Sequence, residues 1–115
     1  MQYKAKRRDN REWVYWDAIS GLQGVEIIPE TICRCIGFPD KDGNKMWEHD
    51  IFKHYNRVGF DDYEHFELGI VIWDKQHCRF TNKNWINNDT YTLSSECCYE
   101  VIGNTFDNPE LLERN

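Results

Sequence analysis

The sequence contains no apolar run near the ~20 residues that a membrane-spanning helix needs. It shows no charged start followed by an apolar stretch and a small-residue cleavage site, so no secretory leader is evident. A cytosolic protein without a membrane partner is the expectation. Asn88-Asp89-Thr90 fits the glycosylation pattern, which without secretion carries no meaning. There is no phosphate-binding loop, no dinucleotide fingerprint, no nucleophile elbow and no H-E-x-x-H. The histidines His49, His54, His65 and His77 have no compact metal-ligand spacing. Glu48, Asp50, Asp74 and His77 are the groups from which a hydrolase or nuclease site would be drawn. No spacing requires one, so no catalytic residue is assigned and the chain reads as a non-enzyme.

Paired cysteine knuckles are also missing. The five cysteines Cys33, Cys35, Cys78, Cys97 and Cys98 are an odd set, and a reducing compartment disfavours a disulfide framework. A zinc ribbon wants C-x-x-C or C-x-x-x-x-C, because the loop between ligands must turn both sulfurs toward one ion. Here the spacings are C-x-C and C-C. In a strand, Cys33 and Cys35 share a face while Cys97 and Cys98 point oppositely. Buried free thiols, with no metal and no cofactor, are the reading.

What is present is one domain of 115 residues, 40% apolar and 30% charged, long enough to bury a core without staples. Aromatics reach 15%, which suits both cross-strand packing and binding surfaces. The net charge of −6 is unevenly placed: residues 1–12 carry a net +3 and residues 13–115 a net −9. An acidic body is a poor general binder of nucleic acid. The basic start reads as the solvent face of a hairpin; a continuous basic face over residues 4–11 would instead suit a DNA-associated role.

Tyr3 to Arg7 and Glu12 to Trp16 flank the turn signal Asp9-Asn10 and predict an N-terminal hairpin. Thr31 to Ile36 alternates as a strand. Asp40 to Asn44 is a turn, and Lys45-Met46-Trp47 leads to a second tight turn at Glu48-His49-Asp50. Ile51 to Tyr55 and Phe66 to Asp74 read as strands, the latter buried on both faces around Gly69-Ile70-Val71-Ile72-Trp73. Residues 76–93 read as an Asn-rich polar and aromatic loop. Cys97 to Phe106 returns to strand character, with Gly103 as a bulge or close approach. Asn108, Pro109 and Glu110 predict a short C-terminal helix pinned by Leu111 and Leu112. The fold class expected is mainly β with a little α, a compact small-barrel-like sheet assembly over residues 1–115.

Two binding regions stand out. Trp73, Phe80, Trp85 and Tyr91 accompany Arg79 and Lys83, a set suited to stacking on a nucleotide-like ligand and holding its phosphates. Asp61, Asp62, Glu64 and Glu67 form an acidic stretch suited to a protein partner's basic groove.

Three stretches resemble the YopX family of phage and prophage proteins: Ile36 through Ile51, Gly69 through Asp74, and Tyr99 through Leu112. The last, with Gly103-Asn104 and Asn108-Pro109-Glu110-Leu111-Leu112, is the most specific. The opening from Lys4 to Tyr15 is more loosely similar. The family commonly has Gly where this chain has His49, so a steric cost is expected if that turn needs positive φ. The resemblance implies a small β-dominated fold, occurrence in phages, a place in the host cytosol, self-association into a homo-oligomer, and no enzyme. The shared residues are turns, caps and core, so function is expected in residues 17–30, 55–67 and 75–97. The reading is a phage accessory protein acting by stoichiometric binding, inhibiting a host defence factor or sequestering a small nucleotide-like signal. An enzyme acting on nucleotides or nucleic acid, or a DNA-associated phage component, is the alternative.

Overall fold

The alternating start folds as the hairpin it predicts. In the computed structural model, which describes residues 2–19, 21–55, 66–85, 88–94 and 97–113, β1 (Gln2–Lys6) pairs antiparallel with β2 (Trp13–Asp17). Tyr3 stands opposite Trp16 and stacks on it at 5.6 Å. β3 (Cys33–Pro39) runs along the other side of β1, and β4 (Lys45–Trp47) adds to β3, giving the order β2-β1-β3-β4. The second sheet contains β5 (Asp50–Tyr55), β6 (Phe66–Asp74), β7 (Arg79–Asn84), β8 (Thr90–Thr92) and β9 (Cys98–Asn104). Its order is β8-β7-β6-β5-β9, with antiparallel neighbours throughout.

The mainly β expectation holds; the barrel-like closure does not. The described strands form two open sheets. Closure would need a strand on the outer edge of β9, and that edge is taken by the turn between β3 and β4. Lys41 N–H donates to the Tyr99 carbonyl at 2.8 Å, and Val101 N–H donates to Asp40 Oδ2 at 3.0 Å. Asp40 also accepts from the backbone N–H groups of Asp42 and Asn44. Burial opposes charge on Asp40, but these amide donors outweigh it and hold its carboxyl below the ordinary range. One carboxylate thus shapes the turn and blunts a sheet edge.

Between the sheets lie Met46 from β4, Phe52 from β5, Val71 from β6 and Tyr99 from β9, with Ile36, Phe38, Phe80, Leu93 and Val101 packed around them. Large side chains fully buried in this way each contribute roughly 1.5–3 kcal/mol. The run at residues 69–73 is buried through Val71, while Ile72 and Trp73 are half-buried.

Residues 76–93 hold two strands, β7 and β8, where the sequence predicts loop. Asn82 and Asn84 are 3% and 2% exposed, and no local propensity foretells that. Asn82 is admitted by its neighbour: a Cβ on Gly69 would lie 2.1 Å from Asn82 Oδ1. The C-terminal helix is also reduced, to a 3-10 turn at Pro109–Leu112. Asn108 makes no side-chain cap bond there. Its Oδ1 faces backward and accepts the Asn104 N–H at 3.3 Å.

Gly103 is a close-approach point, and the bulge falls beside it. Ile51 pairs with Gly103 and Phe52 with Val101, so Ile102 is the extra residue of a bulge. A Cβ on Gly103 would come within 2.5 Å of Asn108 Oδ1 and 2.9 Å of Asn108 Cβ, so the whole Asn108 side chain would have to shift. Gly103→Ala is expected to cost about 1–3 kcal/mol, read from the denaturant midpoint. Gly103→Ala combined with Asn108→Gly is expected to recover part of that loss.

Candidate functional site

The chain passes from one sheet to the other at Trp47–Asp50, and bonds from several elements converge on that corner. Trp47 N–H donates to Asp50 Oδ2 at 2.8 Å. Glu48 N–H donates to the Arg34 carbonyl, His49 N–H to the Val71 carbonyl at 2.8 Å, and Thr105 N–H to the His49 carbonyl at 3.0 Å. His49 has φ 71°, so the cost expected of a non-glycine residue is met here. Its ring packs edge-on against Phe106 at 5.3 Å. Asp50 is 2% exposed. Burial pushes its carboxyl up to about 7, opposed by the Trp47 amide and the Lys4 ammonium and aided by nearby Asp40.

Several aromatic faces in this protein are held by its own cations. Lys4 Nζ lies 4.4 Å from the Trp13 ring centre and 5.2 Å from that of Trp47. Lys6 pairs with Asp107, which also accepts from Trp13 Nε1 at 2.7 Å and from Asn104 Nδ2. Burial works against charge on Asp107, but these donors hold its carboxyl down at about 2. The expected solvent-facing basic start is therefore corrected. Lys4 and Lys6 are 7% and 8% exposed, because aromatic rings and a carboxylate flank β1 on that face. Arg8 and Arg11 remain at the surface and Arg7 pairs with Asp9, which leaves no continuous basic face over residues 4–11.

The aromatic and basic residues singled out for ligand binding are divided by the sheet. Trp73 and Phe80 are cross-strand partners whose rings meet at 4.9 Å. Tyr91, opposite Asn82 and 46% exposed, shares their face. Arg79 and Lys83 alternate with Phe80 and Asn82 and so stand on the opposite face. Trp85 is half-buried just beyond β7, its backbone N–H donating to the Leu68 carbonyl. The cation that does meet Trp73 and Phe80 is Arg34, at 4.5 and 5.3 Å from their ring centres. Arg34 is also held by Glu48 through Nε and Nη2 at 2.8 and 2.9 Å. Its partners come from β6, β7 and the corner, so no local sequence signal marks it. Asp61, Asp62 and Glu64 lie outside the described residues. Glu67 is exposed and accepts from Asn84 Nδ2 at 3.1 Å.

Beside the Trp73–Phe80 pair the gap between the sheets opens as a groove of 760 Å³. Ile36, Phe38 and Phe80, all members of the core's rim, line it together with Cys35, Gln2 and Lys45. The groove exists because β3 leaves regular pairing here. Cys35 opposes Trp47 and Pro39 opposes Lys45, with a register shift between them, and Gly37 at φ 98° makes the bend. Lys45 Nζ donates to Gln2 Oε1 at 2.7 Å across the rim. Apart from Phe80, the lining falls outside residues 17–30, 55–67 and 75–97. The stretch from Ile36 to Lys45 reads as scaffold, and only the bulge reveals it as a surface.

Among the described residues, the titratable groups from which catalysis would be drawn are dispersed, and His65 lies outside the described residues. His77 Nδ1 and Asp74 Oδ2 meet at 2.7 Å in the exposed turn after β6. His54 is half-buried on β5, and burial lowers its pKa. Among the described residues, no group of three or more His, Cys, Asp or Glu is placed to share a metal ion. Cys33 is fully buried, and burial pushes its thiol up to about 12.

The family model described as YopX protein matches residues 2–113. The chain belongs to the YopX family. The crystal structure of protein EF1440 from Enterococcus faecalis is similar at 20% identity, covering 98% of this chain and 99% of that one with a TM-score of 0.58, which speaks for the fold alone. No curated protein matches. The YopX-like stretches now have places: Ile36 to Ile51 forms the groove wall, the Asp40 turn and the corner, and Tyr99 to Leu112 forms the bulged strand and its turn. No helix among the described residues is long and apolar enough to cross a membrane.

Asp50 gives the corner a pH signature. Its ordinary value is 3.8 and its folded value about 7, so the folded chain keeps a proton that the unfolded chain has released. Its contribution to stability is full below the ordinary value and is lost as pH rises through 7. His54, with a lowered pKa, acts in the opposite sense. Comparison with Asp50→Asn at each pH removes that term. The stability of the wild type relative to Asp50→Asn is expected to fall by about 2 kcal/mol from pH 5 to pH 8, measured by urea unfolding.

Proposed function

We propose that this YopX-family protein is a phage accessory protein acting by stoichiometric binding, and that it inhibits a host factor by occupying it. The observation that carries the reading is the groove between β3 and Phe80. It leaves core residues Ile36, Phe38 and Phe80 accessible at the end of the inter-sheet layer. Apolar rim residues of this kind are what a protein partner buries first. Sequestration of a nucleotide-like signal is less favoured. Arg34, the cation at the Trp73–Phe80 pair, is already committed to Glu48, and Arg79 and Lys83 lie on the other face. The enzymatic alternative is less favoured too, since Asp74 and His77 meet in an exposed turn while Asp50 is buried in the corner.

Native mass spectrometry of the protein purified from infected cells reads ligand and partner together. The expected result is a complex with another protein at fixed stoichiometry, lost in Phe38→Ser while a folded circular dichroism spectrum is kept. Retention of a nucleotide with no protein, or a complex unchanged in Phe38→Ser, would contradict the reading.

A further inference from the structure

Resting on that reading, the groove also states the chemistry of what it holds: we infer that it takes a peptide segment of the partner carrying an apolar anchor side chain beside a carboxylate. The apolar half follows from the walls. Ile36, Phe38 and Phe80 are packed against the core on one side and line the groove on the other, so an aliphatic or aromatic side chain entering from outside continues the same layer. At 760 Å³ the groove has room for an anchor and its neighbours.

The acidic half follows from Lys45. Among the described residues, Lys6 pairs with Asp107, Arg7 with Asp9, Arg34 with Glu48, and Lys41 with Asp42. Lys45 instead bonds the neutral amide of Gln2. It is exposed at the groove's rim, and no Asp or Glu is among the lining residues. An ammonium with donors to spare beside an apolar groove, in a chain of net charge −6, favours a carboxylate arriving from outside.

The backbone decides how the segment is read. Between Cys35 and Pro39 the pairing of β3 with β4 shifts register, and Gly37 at φ 98° bends the strand there. β3 lies inside the sheet order, between β1 and β4, so it is no free edge for strand addition and recognition runs through side chains. Added Cβ atoms at Gly37 and Gly43 would meet nothing within 4 Å, so the rim is open to a bulky neighbour.

The test is selection of a displayed random dodecapeptide library on the immobilised full chain, in parallel with Lys45→Glu and Phe38→Ser. The wild type is expected to enrich Leu, Phe or Trp next to Asp or Glu. Those peptides should bind Lys45→Glu at least about tenfold more weakly. Lys45→Glu should itself select the same anchors beside Lys or Arg. Enriched peptides without an acidic residue, or equal binding to Lys45→Glu, would overturn the inference while the native complex stays sensitive to Phe38→Ser. Peptides indifferent to Phe38→Ser would overturn the binding reading with it. A concentration-dependent dimer abolished by Phe38→Ser, with no peptide enriched, would assign the groove to a second copy and overturn the inference.

Discussion

The chain crosses between the two sheets at one corner. Four residues, Trp47–Asp50, carry the chain from β4 to β5, and their backbone groups bond to β3, to β6 and to the segment after β9. The turn accepts costs on three counts: His49 is left-handed, Glu48 is 8% exposed, and Asp50 is 2% exposed. Each is offset locally. Glu48 is neutralised by Arg34, Asp50 receives the Trp47 amide, and the His49 ring meets Phe106. A buried carboxylate with such partners adds little net stability and much specificity of geometry. The corner therefore sets how far apart the sheets stand.

Given that spacing, the aromatic excess finds its use. Lys4 and Lys6 are buried cations, and rings as well as carboxylates stabilise them. Arg34 does the same for Trp73 and Phe80 while reaching back to Glu48, so the corner and the far strands share one residue. Asp107 ties the C-terminal turn to the hairpin through Lys6 and Trp13. Part of what composition offered as a binding surface, the Trp13, Trp47, Trp73 and Phe80 rings, is thus met by the protein's own cations. Among the described residues Tyr15, Phe66 and Tyr91 stay exposed, and the bulged part of β3 leaves the core's rim accessible.

Local signals foretold local structure. The hairpin, the Asp40 turn, the corner and the Gly103 bulge each rest on residues adjacent in sequence. What escaped rests on distant partners. Strand β7 was hidden because Asn82 and Asn84 look like loop residues, and the bare Gly69, diagonal to Asn82 on β6, makes room for it. The C-terminal helix stopped at one turn because Asn108 turns its amide back to Asn104 instead of capping forward. The division of Trp73 and Phe80 from Arg79 and Lys83 follows from strand alternation, which becomes visible once the segment is known to be a strand. Arg34 and the groove carry no sequence signature at all, since both arise where β3 meets residues far along the chain.

That the corner is the constraint on the rest can be tested by native-state hydrogen exchange. The amides of His49 and Thr105 bridge the corner to β6 and β9. If the corner opens only when the sheets come apart, both should exchange as slowly as the central amides of β5 and β6, with the same dependence on denaturant. Exchange of His49 and Thr105 orders of magnitude faster than those ladder amides would show that the corner opens alone, and would contradict the account.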